Sequence, residues 1–569
     1  MSSQRQPVLL VECWQRVLSY LQFVQTPSLC SLLRVNKMFY GLTVPLLYNS
    51  PFVLVKGNAV KWNEEERTRR LVMLLRLFLA ELDPALQAEL PPWTTEEDDD
   101  DLQEGWINDN ADDKDKEQDD RKHLPDSTVM VRKYFYHYRW HDHSFLVAKI
   151  IPIVFGLTEK RDCHNVLHTL DQLFLRHNGG SVLSMCVSVK PRSITQLEYL
   201  FPTLSCLRRI EVHNIEDMAE SSLDKLIHWI HAHDQRFGTL RELQVGGLTE
   251  YDEYDLSRDS FMIKLAHAVH NLSVLDTKSW TEAWSMVDQL PIEQLERLAL
   301  EYGGNKASNQ GGEFLLRCRR LKILDLFVPT PNIFRAVAEY VAPTAVSSPR
   351  IFSPSSSFSS GPSVPPLERL YLSGSLTNLK QTVEDAVASF AGTLKILKVT
   401  SITRSRTTVA PSIRWEGAYM PQLTELQLQH DIALELPFSI LGRVAPNLTI
   451  FKLLVNGLES CGQENNPVDG ILALTKLQVL QLLGAWPLTL AFIRGLRTQV
   501  TGLKILDIER CFGIGLDETM RELSQMEYLW RVGWELEDVS DEVEAVVEQW
   551  RIKAPRIEVG PIGWDEYYV

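Results

Sequence analysis

Residues 503–523 read LKILDIERCFGIGLDETMREL. Leu503, Leu506 and Ile508 mark a short strand. Side chains alternate along a strand, so the leucine side turns inward while Asp507 and its neighbours face the other way. Cys511 follows the strand, Ile514 comes three residues later, and a helix is expected to end near Leu523. The same phrase, L-x-x-L-x-L, recurs upstream. Its copies are Leu207-Ile210-Val212, Leu240-Leu243-Val245, Leu272-Leu275 with Thr277 third, Leu295-Leu298-Leu300 and Leu321-Leu324-Leu326. They continue as Leu367-Leu370-Leu372, Leu394-Leu397-Val399, Leu423-Leu426-Leu428, Leu448-Phe451-Leu453 and Leu477-Leu480-Leu482. The eleven copies start at intervals of 33, 32, 23, 26, 46, 27, 29, 25, 29 and 26 residues.

A period of roughly 20–29 residues with this consensus is the signature of a leucine-rich repeat. Between phrases lie apolar stretches of helical character, such as Leu223-Leu226-Ile227-Ile230 and Phe261-Ile263-Leu265-Ala268. One strand and one helix cannot bury their apolar faces alone. Stacked neighbours build a continuous core to which each buried leucine contributes roughly 1.5–3 kcal/mol. The expected fold class is therefore α/β, an irregular horseshoe-like solenoid of parallel strands and helices. Irregularity is expected because the usual Asn/Cys position of the repeat holds Asn456 and Cys511 but Ile215, Leu248, Trp280, Gly303 and Pro329 elsewhere. The copy at 503–523 resembles the cysteine-containing subtype of leucine-rich repeat.

A solenoid presents a long surface to another macromolecule, and its repeats supply no catalytic centre. The outward row runs through Glu211, Gln244, Asp276, Asp325, Tyr371, Lys398, Gln427, Lys452, Gln481 and Asp507. It is polar, mixed in sign and not obliged to fill the core, as a protein-reading surface requires. Tyr371, Lys398, Gln427, Lys452 and Gln481 are the candidate partner-binding residues. Tyr371 is the best single anchor, because aromatics dominate interface hot spots. A partner held by the loops is the competing reading.

The other end of the chain carries a second pattern. Residues 8–48 read VLLVECWQRVLSYLQFVQTPSLCSLLRVNKMFYGLTVPLLY. Val17, Leu18 and Leu21 share a helical stripe with Cys13 and Trp14, and Thr26-Pro27-Ser28 is a turn and cap before Leu29, Leu32 and Leu33. Val35-Asn36-Lys37-Met38-Phe39-Tyr40 follows, then Pro45-Leu46-Leu47-Tyr48. Three short helices fit this span. In that order the elements resemble an F-box of the fungal type, although the usual opening Leu-Pro is here Leu10-Val11. The resemblance covers residues 1–52 as a domain and, with the repeats, points to F-box/leucine-rich-repeat proteins. It implies that Leu18, Leu21, Leu29, Leu32, Leu33, Val35, Phe39 and Leu42 form the F-box core and the face that docks on a Skp-type adaptor.

Composition narrows the remaining classes. The hydrophobic content of 44% suffices for a folded chain. The net charge is −16, and residues 96–120 alone carry fourteen Asp/Glu against two Lys. The acidity therefore belongs to an insert at 94–128, expected to be disordered, and not to the repeat surface. Nucleic acid, which needs a basic footprint, is not an expected partner. Residues 343–366 hold nine Ser and six Pro and explain the 46-residue interval as an inserted, disordered loop. Ser348-Pro349 and Ser353-Pro354 have the proline-directed phosphorylation pattern, and an unmodified spacer fits the composition as well. Between these segments, 53–180 reads as a mixed helical linker and 181–569 as the solenoid. No secretory signal or membrane span is read. The two most apolar stretches, Leu71–Leu82 and Phe145–Leu157, are short and contain Arg76 and Lys149. Eight scattered cysteines without a C-x-x-C pair suggest neither a disulfide framework nor a zinc site, which fits a cytoplasmic or nuclear compartment.

Other constellations carry little. His137, His141 and His143 lie among aromatics, and His228, His231 and His233 on an expected helix, without nearby cysteine. Asn108-x-Asn110-x-Asp112 has Asp113 where a calcium loop needs glycine. Adjacent Cys163 and His164 do not make a nucleophile and base. No phosphate loop or nucleophile elbow is present. The reading is a non-catalytic chain without cofactor or metal. The family resemblance implies a substrate receptor of a cullin-RING (SCF) ubiquitin ligase, joined to a cullin through the adaptor and holding a protein substrate on its repeats. A protein-binding scaffold unconnected to ubiquitin is the alternative.

Overall fold

The computed structural model describes residues 137–141 and, with gaps in the connecting segments, 180–560. The longer segments outside the described residues are 1–136, 142–179, 189–200, 247–255, 278–286, 302–311, 347–363, 402–412, 456–467, 535–546 and 561–569. The F-box-like stretch, the acidic insert, Cys163-His164 and most of the Ser/Pro segment lie there. The described residues fall into two compact units that divide between Asn271 and Leu272.

In the first unit four parallel strands pair in sequence order: β1 (His137–His141), β2 (Ser184–Ser188), β3 (Arg209–His213) and β4 (Glu242–Gly246). Helix α1 (Glu220–Phe237) returns the chain from β3 to β4, and α2 (Leu256–Ala268) follows β4. The heptad-like spacing of Leu223, Leu226, Ile230 and His233 gives α1 one buried face. His233 is half-satisfied there: its Nε2 lies 2.8 Å from the Leu204 carbonyl and its ring packs on Phe237, while Nδ1 is buried without a hydrogen bond. Gly238 ends the helix at φ 60°, donating its N–H to the Asp234 carbonyl at 2.7 Å.

The second unit continues the same logic through β5 (Val274–Thr277), β6 (Arg297–Glu301), β7 (Ile323–Phe327), β8 (Arg369–Gly374), β9 (Ile396–Ser401) and β10 (Glu425–Gln429). It then runs through β11 (Ile450–Leu454), β12 (Val479–Leu483), β13 (Ile505–Asp507), β14 (Arg531–Gly533) and β15 (Glu558–Gly560). Each strand pairs parallel with the next, so the sheet grows one strand per repeat. The return segments are helices α3 (Arg335–Val346), α4 (Leu376–Phe390), α5 (Leu441–Val444), α6 (Leu490–Gln499) and α7 (Leu516–Leu523). Short 3-10 turns serve elsewhere, such as Ile292–Gln294 and Glu313–Leu316. The fold is α/β with an open parallel sheet built from a repeating unit. Among the described residues no helix is long and apolar enough to cross a membrane.

The leucine phrase is the core. Every residue at its first, fourth and sixth positions, in all eleven copies, is 2% exposed or less. Thr277, the one polar member, donates its hydroxyl to the Ala299 carbonyl at 3.1 Å, which satisfies it within the core. The second phrase position extends each pairing beyond the strand. The N–H groups of Glu368 and Arg369 both reach the Lys322 carbonyl at 2.9 Å, and Lys395 and Ile396 reach that of Glu368 at 2.7 and 3.0 Å. Side chains at this position pair across coils as well, Lys322 with Glu296 and Lys395 with Glu368, each at 3.0 Å. These half-exposed pairs add little stability; the buried leucines hold the repeat together. Cys511 bridges coils too, donating its thiol to the Leu482 carbonyl at 3.1 Å.

Two expected boundaries are corrected. Strand β1 lies inside the stretch read as linker, and β2 precedes the first leucine phrase. Val182, just before β2, and Met185 and Val187 within it fill the three core positions of the phrase without a leucine, and all are 0% exposed. Helix α3 runs to Val346, four residues into the segment read as a disordered loop from 343. The helix continues past Pro343, which forfeits one backbone hydrogen bond.

One glycine is demanded by geometry. Gly312 has φ 67°, and a Cβ there would stand 1.7 Å from the Ile333 carbonyl oxygen. Gly312→Ala combines the left-handed penalty with a backbone clash and is expected to cost about 3 kcal/mol. Chemical denaturation of the purified variant checks this; an unchanged midpoint would refute the close approach.

Candidate functional site

The side chains between the buried leucines lie in register across neighbouring strands. Tyr371 of β8 stands opposite Lys398 of β9, Lys398 opposite Gln427 of β10, and Gln427 opposite Lys452 of β11. Gln481 of β12 and Asp507 of β13 complete the row. The five residues expected to bind a partner are thus brought together as consecutive rungs of one sheet face.

The two ends of this row differ. Tyr371, Lys398 and Gln427 are half-buried and open to a partner. Lys398 Nζ sits 5.8 Å from the Tyr371 ring centroid and 2.9 Å from Glu425 Oε1. The lysine is held between an aromatic face and a carboxylate, so the trio presents an ordered, charge-balanced patch. Beside it Thr400 donates its hydroxyl to Gln429 Oε1 at 3.0 Å.

Lys452, Gln481 and Asp507 share the outward face but are covered, at 7%, 1% and 0% exposure. This corrects the expectation that the whole row is free for a partner. Leu454 and Leu483, one step further along the same face, are buried with them. Strand alternation fixes the direction of a side chain and not what lies over it. Burial has electrostatic consequences. It pushes the Asp507 carboxyl up to about 7, with the charge of Glu509 adding to the effect. It draws the Lys452 ammonium down to about 8 against the pull of Glu425. Gln481 donates its amide to Asp507 Oδ2 at 3.0 Å, and the Glu509 N–H reaches Oδ1 at 3.3 Å. The Gln481 carbonyl oxygen is buried with no hydrogen-bond partner. If Asp507 holds a proton, the amide can turn to accept it.

The row is not uniform elsewhere. Between Asp276 and Asp325 it contains Ala299, fully buried, which the outward-facing polar series passes over. In the first unit it runs Cys186, Glu211, Gln244. Arg209 bonds Glu211 at 2.9 Å and also reaches Gln244. Cys186 escaped the sequence reading because its strand lacks leucine.

The histidines set aside in the sequence have mixed placements. His137 and His141 belong to β1, and His143 lies outside the described residues. His228 is exposed, His231 stacks on the His270 ring at 5.3 Å, and His233 faces the core. The adaptor-binding candidates Leu18, Leu21, Leu29, Leu32, Leu33, Val35, Phe39 and Leu42 lie outside the described residues. Comparison with protein-family models and with curated proteins gave no match.

Proposed function

We propose that this chain is a non-catalytic substrate receptor of a cullin-RING ubiquitin ligase. The observation that carries the reading is the ordered series of F-box-like elements from Leu18-Ser19-Tyr20-Leu21 to Pro45-Leu46-Leu47-Tyr48, followed by eleven leucine phrases. Residues 8–48 dock on a Skp-type adaptor and through it on a cullin. The repeats hold a protein substrate, in the cytoplasm or nucleus. The mechanism is proximity: tethering raises the effective concentration of substrate lysines near the charged conjugating enzyme.

The open part of the polar row, from Tyr371 to Gln427, supports a partner-reading role. It combines an aromatic anchor with fixed charges on a rigid sheet. Lys452 and Gln481 continue the row on β11 and β12 as its covered rungs. Tyr371→Ala with Lys398→Ala is expected to leave the melting temperature nearly unchanged and to weaken partner capture at least about tenfold. The check is quantitative capture from cells with wild-type and doubly substituted chains, followed by ubiquitin transfer to the captured proteins in a reconstituted ligase. Proteins lost from the variant should be those that gain ubiquitin with wild type. Capture that survives the double substitution but disappears when residues 347–363 are deleted would move the reader to that segment. Capture without ubiquitin transfer would leave the alternative, a binding scaffold unconnected to ubiquitin.

A further inference from the structure

On the outward face of the first unit, a thiol, a carboxylate and an imidazole converge. Cys186 of β2 is the register partner of Glu211 of β3, and His213 lies two residues further along β3 on the same face. One donor atom from each, the Cys186 sulfur, a Glu211 oxygen and a His213 ring nitrogen, all lie within 4.8 Å of one another. Cys186 is 1% exposed and Glu211 8% exposed. We infer that Cys186, Glu211 and His213 form a binding site for a zinc-class divalent cation.

The donor chemistry selects the ion. Thiolate plus imidazole favours zinc and its neighbours over magnesium or calcium, which take oxygen donors. Three protein ligands leave the fourth tetrahedral position to water. Ligand atoms around zinc stand about 3.5 Å apart, given bond lengths of about 2.0–2.3 Å. Glu211 Oε2 and His213 Nε2 are already 3.7 Å apart. Closing the remaining donors to that spacing needs a contraction of about 1 Å, within reach of small side-chain rotations on fixed strands.

Two further observations point to a ligand. His213 Nε2 is buried with no partner at hydrogen-bond distance, and the acceptor facing it, Glu211 Oε2 at 3.7 Å, satisfies it only as a long ion-pair contact that a cation between the two would replace. Arg209 grips Glu211 Oε1 at 2.9 Å and extends to Gln244, which orients the carboxylate and leaves Oε2 turned to the imidazole. Such outer partners are a regular part of metal sites. The Arg209 charge also keeps the site from being strongly anionic: with thiolate and carboxylate bound to a dication, the assembly carries one net positive charge. Bound there, the ion ties β2 to β3 through their side chains. The inference departs from the expectation of no metal, which rested on cysteine spacing in sequence. Cys186 and His213 are far apart along the chain and meet only because parallel strands are joined by a crossover.

The test uses the full, tag-free chain, stripped with chelator and titrated with cobalt(II). The expected result is a thiolate-to-cobalt charge-transfer band that saturates at one equivalent and is bleached by zinc. Cys186→Ser and His213→Ala should lose the band, and Cys206→Ser, which alters an exposed thiol, should keep it. Circular dichroism establishes that each variant is folded. If Cys186→Ser does not fold, Glu211→Gln decides, with zinc affinity expected to fall at least about tenfold. No band at one equivalent, a band that survives Cys186→Ser, or an unchanged affinity in Glu211→Gln would overturn the assignment.

Discussion

Phe451→Ala is expected to destabilise the second unit by about 3–5 kcal/mol, the range for emptying a large, fully buried aromatic site. Phe451 takes the fourth phrase position, where most other copies carry Leu, and is 0% exposed. Its ring meets Phe438 edge-on at 6.4 Å, and Phe438 in turn packs 5.7 Å from Trp486. Deleting the ring therefore leaves a cavity that a stacked sheet, anchored by strands on both sides, cannot collapse to fill. Urea denaturation followed by tryptophan fluorescence measures the loss. A cost under about 1 kcal/mol would mean that neighbouring coils relax freely, contrary to a close-packed repeat core.

The second large effect is electrostatic and depends on pH. Unfolded, Asp507 ionises near its ordinary value of 3.8; folded, it keeps its proton to about 7. Between those values the folded chain binds more protons than the unfolded one. Stability is full below about 4 and falls as pH rises to about 7, by up to ~4 kcal/mol. Lys452 works in the next window with the opposite sign. Its folded ammonium titrates at about 8 instead of 10.5, so its cost is present below 8 and relieved as pH rises further. The two groups together put a local minimum of stability between pH 7 and 8. Asp507→Asn removes the carboxylate part while its amide can pair with the Gln481 carbonyl oxygen. The variant should match wild type near pH 4 and exceed it by about 2–4 kcal/mol at pH 8. Denaturation midpoints across that range check both the sign and the window; a variant no more stable than wild type at pH 8 would contradict the buried-carboxylate account.

The repeat core was legible because leucine recurs at the three positions that the strand geometry buries, and nothing about the surrounding coil changes that demand. Where other apolar residues met the same demand, as at Val182, Met185 and Val187, a leucine pattern passed over the strand. The return segments were less legible. The 33- and 32-residue coils hold α1 and α2, while the described part of the 23-residue coil includes the short turn Ile292–Gln294. Yet a 27-residue coil accommodates the fifteen residues of α4, because that helix starts immediately after β8. Spacing alone does not decide the form of the return.

The row from Tyr371 to Gln481 was also readable, since alternation dictates which side chains share a face. Its division into an open half and a covered half was not. Alternation does not say what lies over a face, and a buried lysine and an exposed one read alike in a single chain. The same limit hid Cys186, Glu211 and His213, whose meeting depends on parallel register and not on spacing.

The receptor reading is tested most directly by titrating the purified full-length chain into the Skp-type adaptor by calorimetry. A one-to-one complex with a dissociation constant of about 1 μM or tighter is predicted. Leu32→Asp with Leu33→Asp should abolish the signal while the cooperative unfolding of the repeats is retained. No heat of binding from the wild-type chain at concentrations well above that value, or equal binding by the doubly charged variant, would contradict it.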